Sequence, residues 1–548
     1  VAIGDVAMLT AGTQVELTLE KPVAGGRMLA RHDGQVVLVA GAIPGERVRA
    51  RIERANKGMA FATTLIVLKP SSARRETVGD PLCGGNVYAH VAYAEQAAIK
   101  RDVLRDALRH GGRIEWPGDL PVSPSPEHGY RMRARLHVRK GRVGFFREGT
   151  HDLCDCAGTG QLLPASIEAV RAFVDATPRP VRDAIDAIEL TESIAADERV
   201  LHILWSPHTR INTMPLDEIW HLDRIQASDP RSRLTGISCD DPSTGLARTI
   251  SGQPWVSDPI AALVRRGAPA QGNASGAGGD AGGAGNAGDA GVQSTRALIP
   301  RDARVQDDGR GDVDNAGNAG NAGSATGAQT TRARLRRHGS SFFQANRYLV
   351  PDLVGAVHRA VSAGLNARDA RGPIIDLYAG VGLFAITLAA RQRDHDNAGA
   401  SHDAPIVAVE GDPSSARDLA ANAETFLLDS DGSSVVHGID GSGVEGNAPR
   451  LQVEHSSVEH YLERLTATPL PPSSTLIVDP PRTGMSKQAL DGVLRAGAAR
   501  LVYVSCDVAT LSRDLRRMID AGYNLDHLEA FDLFPNTAHV ESLAVLSK

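Results

Sequence analysis

The sequence predicts an α/β Rossmann-like domain at the C-terminus, preceded by a small OB-like β-barrel and an α+β central domain. Three observations carry that expectation. Between residues 331 and 548, the β-rich runs "PIIDLYAG", "PIVAVEGD", "STLIVDPP" and "RLVYVSCD" alternate with helical stretches, the pattern of a doubly wound, largely parallel sheet. Residues 8–70 hold short β-rich runs between turn signals at Gly25-Gly26, Asp33-Gly34 and Pro44-Gly45, which suits a small antiparallel barrel. At 548 residues the chain also exceeds what one hydrophobic core fills.

The central domain is expected over residues 78–265. "YAEQAAIKRDVLRDALRHGG" puts Ile99, Val103, Leu104 and Leu108 on one helical stripe and stops on Gly111-Gly112. "YRMRARLHVRKGRVGFFREG" reads as a basic hairpin turning at Lys140-Gly141. On it Arg131, Arg133 and Arg135 share one strand face, either spaced for phosphates or decorating a solvated edge. Residues 266–330 are rich in Gly, Ala and Asn and contain no aromatic residue, so a disordered insertion is expected there. A smaller polar insertion interrupts the last domain at 429–449.

A net charge of −6 argues against a uniformly basic nucleic-acid binder and leaves room for a local basic surface. No run of eighteen apolar residues occurs and the first residues lack a signal-peptide pattern, so a cytoplasmic protein with no membrane partner is expected. Five scattered cysteines are too few for a disulfide framework, and each is treated as an individual thiol.

Asp376, Glu410, Asp479 and Cys506 fall at or near strand ends and should converge on one cleft. Gly380-x-Gly382-x-x-Ala385 lets backbone approach a ligand at a helix N-terminus, with Glu410 placed for ribose hydroxyls. By itself that pattern divides evenly between a nicotinamide dinucleotide and S-adenosylmethionine. "VDPPRTG" adds an acid and two prolines at a later strand end, where a rigid loop can hold a planar substrate. Cys506 is a buried thiol, a metal ligand without partners, or a nucleophile, and its strand-end position favours the last. Glu541 lies inside an apolar run, either salt-bridged or raised in pKa toward a general base.

Taken together, "SFFQAN", "DLYAGVGLF", "AVEGDP", "VDPPRTG", "VYVSCDVATLSRDL" and "FPNTAHVESLAVL" closely resemble the RNA uracil-C5 methyltransferase family. The N-terminal barrel resembles that family's TRAM module. The resemblance implies an S-adenosylmethionine-dependent methyltransferase domain over 331–548 and an RNA partner, ribosomal or transfer, with no obligate protein partner. It implies Cys506 as the nucleophile and Glu541 as the base, with cofactor contacts from Gln344, Tyr378, Glu410 and Asp479. Phe342 and Phe343 are candidates to stack on the target base, with core packing of one of the two as the equal alternative.

Many members of that family carry four cysteines on an iron–sulfur cluster. Here "CGGN" puts Asn86 in place of one ligand and Gly160 in place of another, so no cluster and no metal are expected. Leu383 stands where some relatives place a polar cofactor contact. Two rival readings are a class I methyltransferase on another planar target, which leaves Cys506 and Glu541 idle, and a catalytically silent RNA-binding or RNA-folding protein.

Overall fold

The computed structural model describes residues 9–264 and 333–548, apart from residues 57, 78, 208–215, 223–233, 242–246, 364–371, 398–403, 429–450, 466–469 and 472. The two insertions expected at 266–330 and 429–449 therefore lie outside the described residues.

Five strands, β1 (Gln14–Pro22), β2 (Met28–His32), β3 (Gln35–Ala40), β4 (Arg47–Asn56) and β5 (Met59–Lys69), close a barrel in the order β1-β2-β3-β5-β4. Alternation sets the inside: Val15, Leu17 and Leu19 of β1 point in while their neighbours face out. The expected all-antiparallel barrel needs one correction, because β3 and β5 run parallel, with Val36 beside Met59. The β4–β5 hairpin is what brings β5 back along β3 in the same direction and seals the barrel, leaving no free edge.

The predicted central helix spans Tyr93–Asp106 and continues as a π-helical turn over Ala107–Gly111. Its stop brings backbones close together, since a Cβ on Gly112 would lie 2.9 Å from the Ser512 carbonyl oxygen. The short strand β6 (Val122–Ser123) follows. Next come β7 (Arg133–Arg139), β8 (Arg142–Phe146), β9 (Leu153–Cys154), β10 (Ile185–Glu192), β11 (Arg199–Trp205), β12 (Gly236–Asp240) and β13 (Ala247–Gly252), in the sheet order β13-β12-β11-β10-β7-β8-β9. Helix Pro164–Ala176 buries Ile167, Val170, Phe173 and Val174 against this sheet. The β7–β8 hairpin turns at Lys140 (φ +53°) and Gly141 (φ +74°), as two-residue loops require.

Two sequence expectations change in this region. Arg133 and Arg135 both bind the Glu189 carboxylate at 2.8 and 3.0 Å, and Arg131 donates to Gln161 at 2.8 Å. Because β7 is an interior strand with Glu189 directly across from Arg135, the solvated-edge reading falls, and Arg133 and Arg135 meet a cross-strand acid. Likewise Cys83 and Cys154 are joined in a disulfide rather than standing as individual thiols. Pairing of Cys154 with Phe145, and of Cys83 with Arg147, aligns both cysteines along β8 and brings their Cα atoms to 5.6 Å.

Strands β14 (Trp255–Pro259) and β15 (Arg334–His338) form a two-stranded sheet. The last sheet holds β16 (Ile374–Leu377), β17 (Ile406–Glu410), β18 (Leu451–His455), β19 (Thr475–Val478), β20 (Arg500–Ser505), β21 (Asn524–Phe531) and β22 (Glu541–Ser547), ordered β18-β17-β16-β19-β20-β22-β21-β6. β16 to β20 are parallel, and largely apolar strands such as "TLIV" are buried on both faces. β22 and β21 return antiparallel, and β6 from the central segment adds the edge strand, parallel to β21. The chain reverses its strand order between β16 and β19, so a ligand crevice is expected at their carboxyl ends. No helix among the described residues is long and apolar enough to cross a membrane.

Candidate active site

Cys506 directly follows β20, and Asp507 caps the next helix, Val508–Asp520, accepting from the amides of Ala509 and Thr510 at 3.0 and 2.8 Å. The β20–β22 register pairs Ser505 with Ser542. One further step along it sets Cys506 opposite Glu541, the first residue of β22 and buried. Strand pairing thus brings together a thiol and a carboxyl that lie 35 positions apart in the chain.

Their environments push both groups toward the protonated form. Burial raises the Cys506 thiol to about 12, and the negative charges of Glu541 and Asp479 add to it while Arg482 opposes. Burial, reinforced by Asp479, holds the Glu541 carboxyl well above the usual carboxylate range, again with Arg482 opposing. Asp479, just past β19, is pushed up to about 7 by burial, against a 3.3 Å hydrogen bond donated by the buried Gln344 amide. Cys506, Glu541, Asp479 and Gln344 therefore form one interacting group. Arg482, which opposes the shifts of both Cys506 and Glu541, has no role in the sequence reading; its one signal there is the position after Asp-Pro-Pro in "VDPPRTG".

The other two candidates lie at the ends of the neighbouring strands. Tyr378 follows β16 with φ +62°. Glu410 ends β17 and accepts from the amides of Gly380 at 2.7 Å and Asp412 at 2.6 Å, while burial raises its pKa. A Cβ on Gly380 (φ +58°) would meet nothing within 4 Å, so backbone faces open space there; one on Gly382 (φ +93°) would fall 2.6 Å from Ile386 Cδ1. Asp376, at the end of β16, is fully buried: Oδ2 accepts from the Ala385 amide at 3.0 Å, and Oδ1 has no hydrogen-bond partner among the described residues. The open glycine turn beside the Glu410 carboxyl fits a ligand carrying hydroxyls, while burial holds the Asp376 carboxyl well above the usual carboxylate range. Leu383 is buried in the apolar cluster and offers no polar contact.

Of the two phenylalanines, Phe343 packs in the core under the Arg337 guanidinium. Phe342 is 58% exposed, with Arg133 at 5.8 Å from its ring. The loop that delivers Glu541 is held by residues far away in sequence. Asn536 (φ +64°) receives Gln96 Nε2 and Arg75, each at 2.8 Å, on its Oδ1, and its own amide donates to Gln96 Oε1. Buried Lys100 pairs with buried Asp532 and donates to the Phe534 carbonyl at 3.0 Å.

The cysteine-poor segment does not suit a four-cysteine cluster. Cys83 and Cys154 are consumed in the disulfide, Asn86 and Gly160 carry no thiol, and Cys156 alone remains free beside them.

A doubly wound sheet with a glycine turn and acids at its strand ends, joined to a closed N-terminal barrel, defines a class I methyltransferase with an appended TRAM barrel. A family profile described as tRNA (uracil-5-)-methyltransferase matches residues 462–548, and a TRAM domain profile matches residues 9–65. The 23S rRNA (uracil(1939)-C(5))-methyltransferase RlmD of Pseudomonas putida is 27% identical over 97% of this chain and 94% of its own length. An uncharacterized RNA methyltransferase of Parasynechococcus marenigrum is 25% identical over 98% and 96%. Among solved structures, the tRNA (uracil-54, C5)-methyltransferase of Pyrococcus abyssi, in complex with S-adenosyl-L-homocysteine, shares the fold with a TM-score of 0.57 at 20% identity, covering 97% of this chain and 99% of that one. Over nearly its whole length the chain is thus similar to RNA uracil-C5 methyltransferases, one of them solved with S-adenosyl-L-homocysteine.

Proposed function

We propose that the enzyme methylates carbon 5 of one uridine in ribosomal or transfer RNA through a covalent adduct on Cys506, with Glu541 as the base that releases the product. The observation that carries this reading is the pairing of a half-buried thiol just past the carboxyl end of β20 with a buried carboxyl at the amino end of the antiparallel β22.

Uracil carbon 5 is a weak nucleophile. Addition of the Cys506 thiolate to carbon 6 makes the O4–C4–C5 unit an enolate, whose carbon 5 can form the new carbon–carbon bond. S-adenosylmethionine, when bound, supplies an electrophilic methyl group. Gln344, Tyr378, Glu410 and Asp479 would hold it, with Glu410 suited to ribose hydroxyls. Glu541 then takes the proton from carbon 5, the electron pair reforms the C5–C6 double bond, and the C6–S bond breaks to return the thiolate. The burial that raises Glu541 makes it a stronger base for that step. Arg482, whose charge opposes those of Glu541 and Asp479, favours the thiolate at the start and end of the cycle.

Phe342, exposed beside Arg133, offers a face for the unstacked target base. Two relatives that span nearly the whole chain act, by their names, on 23S rRNA, and a solved relative of similar span acts, by its name, on tRNA; ribosomal RNA, named by the relatives of higher identity, is the first substrate to assay. RNA containing 5-fluorouridine tests the scheme, because fluorine blocks the final proton removal. Wild type plus S-adenosylmethionine should give a protein–RNA species that survives denaturing electrophoresis and maps to Cys506. An equally stable adduct with Cys506→Ala would refute the assignment.

A further inference from the structure

A second feature lies outside the site around Cys506. The tip of the β7–β8 hairpin and the short helix Arg179–Arg182 enclose a cleft of about 790 Å³. Its charged lining consists of Arg139, Lys140, Arg179, Arg182, Asp183 and Asp186. Both acids are engaged: Arg139 donates to Asp186 at 2.7 Å and Arg179 to Asp183 at 3.3 Å. Lys140 and Arg182 are left over. Lys140 is exposed on the turn itself, and Arg182 lies across that turn, its guanidinium carbon 3.3 Å from where a Cβ of Gly141 would stand. Arg182 Nε is buried with no hydrogen-bond partner among the described residues. A buried donor without an acceptor is costly unless a ligand supplies one.

On a chain of net charge −6, two uncompensated cations facing one cleft select an anion. The rest of the lining is Val138, Ile185 and Ser206, with no aromatic face for a base and no amide fork to read base edges. We propose that this cleft grips backbone phosphates of the RNA substrate and anchors it independently of sequence, leaving the choice of uridine to the site around Cys506. The proposal rests on RNA being the substrate. The hairpin turn has a physical reason on this view: positive φ at Lys140 and the missing side chain at Gly141 let Arg182 lie over the turn and share the cleft.

The test uses the full chain, fluorescein-labelled fragments of ribosomal RNA, and a salt titration. Lys140→Glu/Arg182→Glu should bind at least roughly tenfold more weakly near 0.1 M salt, with a log–log salt slope smaller by about 1.5, the value for two lost phosphate contacts. Lys140→Arg/Arg182→Lys should bind as wild type does, which separates charge from folding. With labelled methyl donor, the reversed variant should show a raised KM for RNA and an unchanged kcat. Wild-type affinity and salt slope in the reversed variant, or an equal loss in the charge-preserving one, would overturn the cleft. Should the cleft effect appear while wild type transfers no methyl group, the cleft stands and the proposed activity falls. If wild type binds no RNA, both fall.

Discussion

Replacing Glu541 by Gln probes the pairing on which the proposed chemistry depends, and it does so before any RNA is added. At a cross-strand separation of about 5 Å and an effective dielectric constant near 20, a full charge on Glu541 acts on the Cys506 thiolate with about 3 kcal/mol, or about two pK units. That is an upper bound, reached only where Glu541 is charged, because burial raises its carboxyl and protonation removes the repulsion. Alkylation of Cys506 by iodoacetamide, followed by peptide mass spectrometry, reports the thiolate fraction directly. Glu541→Gln should be alkylated up to roughly a hundredfold faster than wild type at pH 9. Cys156 and Cys239, both buried, serve as internal references whose rates stay unchanged. The same variant should lose about 10²- to 10⁴-fold in turnover, the usual worth of a positioned base. An unchanged or slower alkylation at pH 9 would mean that the carboxyl does not face the thiol.

Three further outcomes are expected. Asp479→Asn should raise the melting temperature at pH 8 while lowering activity. Its carboxyl is pushed up to about 7, so folding holds protons that the unfolded chain releases above about pH 4, and the native state loses stability as pH rises from there through 7; the gain from Asn, on the order of 1 kcal/mol or more, should shrink toward pH 4. Gly382→Ala should cost about 1–3 kcal/mol in denaturant unfolding, because an added Cβ meets Ile386 and Leu419 at a positive φ; an unchanged midpoint would contradict the turn geometry. Lys100→Met should destabilise the fold by about 3–5 kcal/mol, since it leaves Asp532 buried and unpaired, whereas Lys100→Met/Asp532→Leu should recover much of that loss.

What could be read in the sequence follows from how each feature is encoded. Strands β16, β17, β19 and β20 are continuous apolar runs, and a parallel sheet puts their ends on one side, so the convergence of Asp376, Glu410, Asp479 and Cys506 follows from pattern alone. The barrel was legible from alternation, but its parallel β3–β5 pair was not, because pairing between distant strands leaves no local mark. The same holds for Glu189, which claims Arg133 and Arg135 from another strand, and for the disulfide between Cys83 and Cys154, 71 positions apart. Gln96 and Asn536, separated by 440 positions, look like unremarkable polar residues until the fold joins them. Cys506 stood out by its strand-end position and Glu541 by its apolar run, and the motif resemblance implied their roles; their direct opposition came only with the β20–β22 register.

The most direct test of the central claim maps 5-methyluridine in ribosomal and transfer RNA from cells lacking this protein, then treats that RNA with S-adenosylmethionine and either wild type or Cys506→Ala. The account predicts that one or more sites are unmethylated in those cells and that wild type alone restores them. Full 5-methyluridine in the deficient cells, or restoration by Cys506→Ala, would contradict it.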